Sequence, residues 1–308
     1  MPRWEGKRRL AAYGLLAASL LVGASAPPFY KLADTIPPIQ LSFWIALTGT
    51  LCSSVILALR PGPEPFRIYA RDRGQLAILL AWGFGSFTVL VFALSAATHV
   101  LSASLAAVVY RTWPLMLGVL AWPVLGRRLG VRDWFGLALG FLGVVAAYAI
   151  AGSLLFPGAD LPYVGFLLLG AFGDALAAAL SRRFRPANMA SFVFGCNAIS
   201  LACFAAFGGA AGALAPHALT PTVLLAILFL GGVQNVGLTV LFIVSYDRVA
   251  DTGPVALVYL ASPFLTFVLD ALFLHEPILP AYWGIAAGVV GGALAMQLGR
   301  GRPRPGAT

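Results

Sequence analysis

The sequence predicts an all-α integral membrane protein of ten transmembrane helices, arranged as a 5+5 inverted-topology repeat with both termini cytoplasmic. Three observations lead to this fold class. First, 60% of the 308 residues are hydrophobic and only 10% are charged, whereas soluble domains are about a quarter charged. Second, the chain divides into ten apolar stretches long enough to cross a bilayer. Third, short motifs recur at an offset of 149 residues.

The ten spans follow from breaks at proline, glycine and charged clusters, which leave pieces of about 20 mostly apolar residues. The N-terminal piece resembles a signal peptide, with basic residues before an apolar stretch that ends in Ala24-Ser25-Ala26. Pro27 disfavours cleavage there and the apolar stretch continues beyond it, so we keep this segment as the first span. The predicted spans are 11–33, 39–59, 74–97, 101–123, 133–152, 162–180, 189–212, 221–246, 253–273 and 280–298.

The basic residues predict the orientation. With the N-terminus in the cytoplasm, 18 of the 20 lysines and arginines fall in cytoplasmic tails or loops, as the positive-inside rule requires. Lys31 is left outside, and Arg111 lies within the fourth span. The net charge of +9 therefore indicates topology, and no nucleic-acid partner is expected. The histidines and cysteines show no metal-ligand spacing, so no metal or cofactor is expected either.

Two halves of the chain resemble each other. YRTWPLMLGVL of the fourth span aligns with YLASPFLTFVL of the ninth, so that Tyr110 pairs with Tyr259 and Pro114 with Pro263. Glycine patterns match between the fifth and tenth spans, and AWGFGSFTVL of the third span aligns with LGGVQNVGLT of the eighth. Because five is odd, the second copy enters the membrane inverted, which is characteristic of secondary transporters. The predicted units are residues 1–152 and 153–298, followed by a cytoplasmic tail, 299–308.

The end of the second half resembles the drug/metabolite transporter superfamily, in particular its EamA-type members. SPFLTFVLDALFLHEPILPAYWGIAAGVVGGALAM has Glu276-Pro277 and the later glycines at the expected places, although Arg127 replaces the corresponding glutamate in the first half. The nearest likeness is to bacterial exporters of aromatic amino acids. This resemblance implies amino acid efflux across the bacterial inner membrane. The implied partners are a small-molecule substrate and the lipid bilayer, and the chain is expected to be a monomer or a weak homodimer.

Two ionisable residues lie deep in the predicted spans. Arg111 and Asp174 are each about ten to twelve residues from the outer end of their span, so both lie near the bilayer midplane at 1.5 Å per residue. Intramembrane charges normally face the bundle interior or a water-filled cavity. Three interpretations stay open: a structural ion pair, contact with a zwitterionic amino acid, or neither.

Uncharged residues near the midplane complete the candidate site. The amides of the eighth span can exchange hydrogen bonds with a substrate, and aromatic side chains of the central spans can stack on it. For each of them, lipid contact or helix packing is the alternative. Intramembrane prolines permit bending and are candidate hinges or static kinks. The substrate-binding candidates are Arg111, Asp174, Tyr110, Trp82, Phe84, Trp113, Gln234, Asn235 and Tyr259, and the hinge candidates are Pro27, Pro28, Pro114 and Pro263.

Other function classes compete with transport. An integral membrane enzyme needs clustered acids, metal-ligating histidines or an activated nucleophile, and the sequence has no HExxH motif and no Gly-x-Ser-x-Gly motif. The chain is therefore not expected to be an enzyme. A passive facilitator or channel stays open, as does an exporter of other small metabolites or drugs. The favoured interpretation is a secondary transporter that works by alternating access around a midplane cavity.

Overall fold

The computed structural model describes residues 3–59, 66–126, 161–210, 219–248 and 262–275, with isolated positions between 130 and 142 and between 283 and 291. Every regular element within these ranges is a helix. The first half contains α1 (Arg3–Leu32), α2 (Pro38–Leu59), a short helix (Arg67–Arg71), α3 (Arg73–Val100), α4 (Ala103–Tyr110) and α5 (Trp113–Leu125). The second half contains α6 (Leu161–Arg183), α7 (Met189–Ala210), α8 (Pro221–Arg248) and α9 (Ser262–Phe273).

Seven stretches within these ranges are long and apolar enough to cross a membrane. They correspond to the first four predicted spans and to the sixth, seventh and eighth, so the chain is a multi-pass membrane protein. The predicted spans 133–152 and 280–298, and the first part of span 253–273, lie outside the described residues apart from isolated positions. The total of ten helices and the cytoplasmic termini stay predictions.

The outer surface of the bundle is apolar, as a surface in contact with lipid must be. Leu51, Val55 and Leu59 project from one side of α2, and each is more than half exposed. Phe172 of α6 and Leu225 of α8 are likewise exposed. These helices therefore have apolar side chains on both their inner and outer faces, so the polar side chains are what distinguish the inner face.

The helix contacts made by the first half have counterparts in the second half. α2 lies against α7 along its length, and α3 packs on α6 as α1 packs on α8. In the same way, α5 contacts α6 while α9 contacts α1. If each helix of the first half is replaced by the corresponding helix of the second half, and the reverse, the same set of contacts is obtained.

Glycines permit the closest helix contacts. A Cβ at Gly173 of α6 would lie 2.8 Å from the carbonyl oxygen of Gly85 in α3, and one at Gly231 of α8 would lie 2.6 Å from the carbonyl oxygen of Ile45 in α2. Real Cβ atoms do not approach an oxygen so closely, so these backbones touch only because neither position has a side chain. Small residues at helix contacts are typical of membrane bundles.

Two local irregularities recur at nearly the repeat spacing. α3 is π-helical over Ala81–Leu90, and α8 is π-helical over Phe229–Leu238, so these segments begin 148 residues apart. In the described part of the chain, positive φ occurs at Gly126 (68°) and His275 (55°). Each follows the end of a helix, where a left-handed residue is a common cap, and they are 149 residues apart.

The fourth span, predicted over 101–123 with Pro114 as a candidate hinge or kink, contains a turn between two helices. α4 ends at Tyr110, Arg111 and Thr112 form a turn, and α5 begins at Trp113. The cause is Pro114, which has no N–H to donate to the carbonyl of Tyr110. Pro114 instead occupies the first turn of α5, where a missing N–H costs nothing. The break places Arg111 outside regular helix, in the middle of the span.

Candidate functional site

A cavity opens between α1, α3, α6, α8 and the turn that joins α4 to α5. Its empty volume, including the space at its mouth, is about 690 Å³. Seven of the nine predicted substrate-binding residues line it: Arg111, Asp174, Tyr110, Trp82, Trp113, Gln234 and Asn235. Side chains that the sequence did not single out also line it, and these include Tyr30, Ser86, Phe87, Thr239 and Phe242.

Asp174 is the acidic group of the cavity. Ser86 Oγ donates to Asp174 Oδ1 at 2.7 Å, and Tyr110 Oη donates to Asp174 Oδ2 at 2.9 Å. The contact of Gly85 with Gly173 explains the first bond, because each glycine directly precedes one of the two polar residues. The paired motifs Gly-Ser and Gly-Asp in neighbouring spans were the sequence signal that could have identified Ser86.

Arg111 is the basic group. Only 2% of its surface is exposed, its Nη2 donates to the carbonyl oxygen of Gly23 at 2.7 Å, and its Cζ lies 4.8 Å from the centre of the Tyr110 ring. Its Nε has no hydrogen-bond partner among the described residues. The guanidinium therefore faces the bundle interior and retains donor capacity.

The direct ion pair between Arg111 and Asp174, one of the three interpretations, is not present. Within the described ranges the ion pair that forms is Lys31 with Asp34, at 3.3 Å near the end of α1. Tyr110 connects the two cavity charges instead, since its hydroxyl donates to Asp174 and its ring lies beside the guanidinium. Both charges thus remain separate groups on the wall of one cavity.

The two consecutive prolines of α1 explain why Arg111 has an acceptor in an apolar bundle. A helical proline leaves the carbonyl four residues earlier without its usual N–H donor, so Pro27 releases Gly23 and Pro28 releases Ala24. The Gly23 carbonyl accepts from Arg111, and the Ala24 carbonyl accepts from Thr266 Oγ1 of α9 at 2.9 Å. The prolines therefore supply acceptors for two neighbouring helices, while their role as hinges stays a prediction.

Aromatic side chains form the apolar wall. Trp82 is 5% exposed, and its Nε1–H is shared between the carbonyl oxygen of Ala177 (3.1 Å) and Ser181 Oγ (2.7 Å). Its ring packs at 6.0 Å from Phe242, which in turn lies 6.3 Å from Trp113. These rings are held by contacts within the protein.

The two amides of α8 differ from Ser86, Tyr110 and Asp174, which are joined by hydrogen bonds. Gln234 and Asn235 lie in the π-helical segment of α8 and both line the cavity. Gln234 Oε1 and Asn235 Nδ2 are buried and have no hydrogen-bond partner among the residues described.

The structure does not place three other predicted residues in the cavity. Phe84 does not line the cavity, because it points away from it on α3 and is 52% exposed. Tyr259 lies outside the described residues, and Pro263 is helical but its side chain is not described. The described residues also contain no cluster of three metal-ligating side chains.

A family model matches most of the first half of the chain. Residues 9–149 match the EamA-like transporter family. This EamA-like match supports the drug/metabolite transporter superfamily and a membrane transporter, and it favours a transporter over an enzyme. The matched segment contains Trp82, Ser86, Tyr110, Arg111 and the two prolines of α1. Asp174 and the two amides of α8 lie beyond it.

The remaining comparisons concern the fold. One solved structure, described only as "Crystal structure of protein", superposes with a TM-score of 0.67 at 20% sequence identity and covers 94% of this chain and 96% of its own. At that identity the likeness shows a shared fold and nothing more. No curated protein matches the chain significantly.

Proposed function

We propose that this protein is a secondary transporter that exports amino acids, with aromatic ones favoured, and similar small metabolites across the bacterial inner membrane. The single observation that carries the proposal is the pair of opposite charges, Arg111 and Asp174, on one buried cavity wall without a direct ion pair between them. An intramembrane charge is expensive and marks a substrate or ion pathway by default.

The chemistry of this pair fits a zwitterion. A guanidinium binds a carboxylate through charge-assisted hydrogen bonds, and the donor capacity of Arg111 is only partly used by Gly23. The Asp174 carboxylate accepts from two neutral hydroxyls, which leave its charge available for an ammonium group. Trp82, Trp113 and Phe242 provide an apolar wall for a substrate side chain, the usual composition of a ligand pocket.

The proposed mechanism is alternating access between two inverted halves. It is supported by the exchanged helix pairs, by the π-helical segments 148 residues apart and by the left-handed caps 149 residues apart. Inverted repeats place their site at the interface of the halves, and the cavity draws on helices of both. Labelling of single cysteines tests the inversion: residues 126–130 should react from the cytoplasm and residues 275–279 from outside, and access from the same face refutes it.

Transport assays with purified protein in proteoliposomes test the function. Counterflow of labelled amino acids should occur, and unlabelled substrate on the opposite side should accelerate it. Arg111→Gln and Asp174→Asn should each reduce the affinity at least tenfold, whereas the matched variant Arg183→Gln, at the exposed end of α6, should not. Folded Arg111 and Asp174 variants with unchanged affinity would reject the site.

The same assay separates the alternatives. A passive facilitator or channel shows uptake without acceleration by unlabelled substrate, and an exporter of other metabolites or drugs shows counterflow with those compounds and with no amino acid. Repeating the assay with and without a pH gradient distinguishes proton antiport from facilitated diffusion. We further propose a monomer or weak homodimer, which light scattering in detergent tests.

A further inference from the structure

The polar groups around the cavity divide into two sets. Ser86 and Tyr110 donate to Asp174, Trp82 donates to α6, and Arg111 donates to α1. Hydrogen bonds within the protein therefore hold these groups in place, although Arg111 Nε has no partner among the described residues. The amides of α8 form the second set: Gln234 Oε1 and Asn235 Nδ2 have no hydrogen-bond partner among the described residues, and the exposed fraction of Asn235 is 7%.

Buried polar groups in native proteins nearly always have a partner. A primary amide offers two donors and an acceptor in either orientation of its O and N atoms, so this pair presents several unused sites of both kinds to the cavity. Gln234 and Asn235 are adjacent in sequence and both line the same cavity, so a molecule bound there meets both.

The two amides of α8 lie in the same part of the cavity as Arg111. Leu238 lies one turn beyond the amides on α8, and a Cβ placed at Gly23 would lie 3.7 Å from Leu238 Cδ2 and 3.5 Å from Arg111 Nη2. The amides therefore lie within about one helical turn of a residue that neighbours the guanidinium, and both the amides and Arg111 line the same cavity.

We propose that Gln234 and Asn235 determine specificity by recognising a neutral substrate group that both donates and accepts hydrogen bonds, namely a hydroxyl or a primary amide. The inference rests on the proposed transport function and narrows its substrate class. Tyrosine is then preferred over phenylalanine, and glutamine over norleucine, because the apolar member of each pair leaves the amides without partners. Sites built to bond a hydroxyl discriminate strongly against analogues that lack it.

Competition counterflow in proteoliposomes tests this inference. Each unlabelled amino acid competes with one labelled substrate, and the ratio of inhibition constants within the pairs tyrosine–phenylalanine and glutamine–norleucine is measured. The wild-type protein should favour the polar member at least tenfold in one pair or both. The near-isosteric variants Gln234→Met and Asn235→Leu should reduce that ratio towards one, because the polar member loses affinity. Asn197→Leu, a buried amide of α7 that does not line the cavity, is the matched control and should keep the ratio.

The outcomes are distinguishable. Ratios near one in both pairs for the wild-type protein overturn the inference, whether or not the variants fold, and so does a ratio that both folded variants retain. Either result leaves amino acid transport itself intact. An absence of counterflow with every amino acid rejects the proposed function, and the inference is rejected with it.

Discussion

The substitution Pro27→Ala tests how the acceptor for Arg111 arises. Alanine at position 27 restores an N–H that donates to the Gly23 carbonyl, the same oxygen that now accepts from Arg111 Nη2 at 2.7 Å. The oxygen has two lone pairs, so competition weakens the guanidinium bond without abolishing it. A hydrogen bond to a charged donor contributes about 1.5–3 kcal/mol. We expect a loss of about 1.4 kcal/mol in substrate binding, or about a tenfold rise in Kd.

Pro28→Ala is the matched control. It restores the N–H that pairs with the Ala24 carbonyl, whose present donor is the neutral hydroxyl of Thr266. Both substitutions remove a proline from the interior of α1, and such a proline costs a helix about 3 kcal/mol, so any gain in the stability of α1 is common to both. The difference between the two variants isolates Arg111. We expect Pro28→Ala to change substrate affinity less than about twofold, as the neutral bond lies outside the cavity.

The assay is substrate counterflow, with thermal unfolding in detergent as the measure of stability. A double-mutant cycle gives a second test: once Arg111→Gln has removed the guanidinium, Pro27→Ala should have no further effect on affinity. Equal effects of the two proline substitutions, or full additivity of Pro27→Ala with Arg111→Gln, would refute the reasoning that proline supplies the acceptor.

Three further predictions concern stability, all measured as thermal unfolding of purified protein. Gly173→Ala should destabilise the bundle by about 1–3 kcal/mol, because the new Cβ would lie 2.8 Å from a carbonyl oxygen of α3. The control is Gly165→Ala in the same helix, whose new Cβ meets nothing within 4 Å and should not destabilise the protein. Equal effects of the two substitutions would contradict the close contact. Trp82→Phe keeps the ring packing but removes the shared Nε1 hydrogen bond, and should cost about 1 kcal/mol; no loss would mean that the bond contributes nothing. His275→Gly should stabilise the protein and Gly126→Ala should destabilise it, each by about 1 kcal/mol, because both positions have positive φ. A change in stability of the same sign for both substitutions would exclude the left-handed caps.

The sequence predicts the membrane environment and seven of the described spans because these depend on local composition alone. Arg111 and Asp174 could be found in the same way, since a charge within an apolar stretch is visible without knowledge of its neighbours. The span predicted over 101–123 is confirmed as a membrane-length apolar stretch, but the turn at Arg111 and Thr112 within it was not located from the sequence. The proline that breaks it is visible in the sequence, but kinks and breaks at proline depend on what satisfies the released backbone groups.

The contacts of the site follow from the rotation of each helix about its axis, which weak amphipathicity in a lipid-exposed bundle leaves undetermined. Phe84 and Trp82 are two residues apart, yet one faces outward and the other lines the cavity. Likewise, Tyr110 rather than Arg111 bonds to Asp174. The sequence by itself determined that this chain is a membrane protein and which few polar residues lie within its apolar spans. Only the tertiary structure decided which of those residues meet, because glycine contacts and proline-released carbonyls act between helices that are distant in sequence.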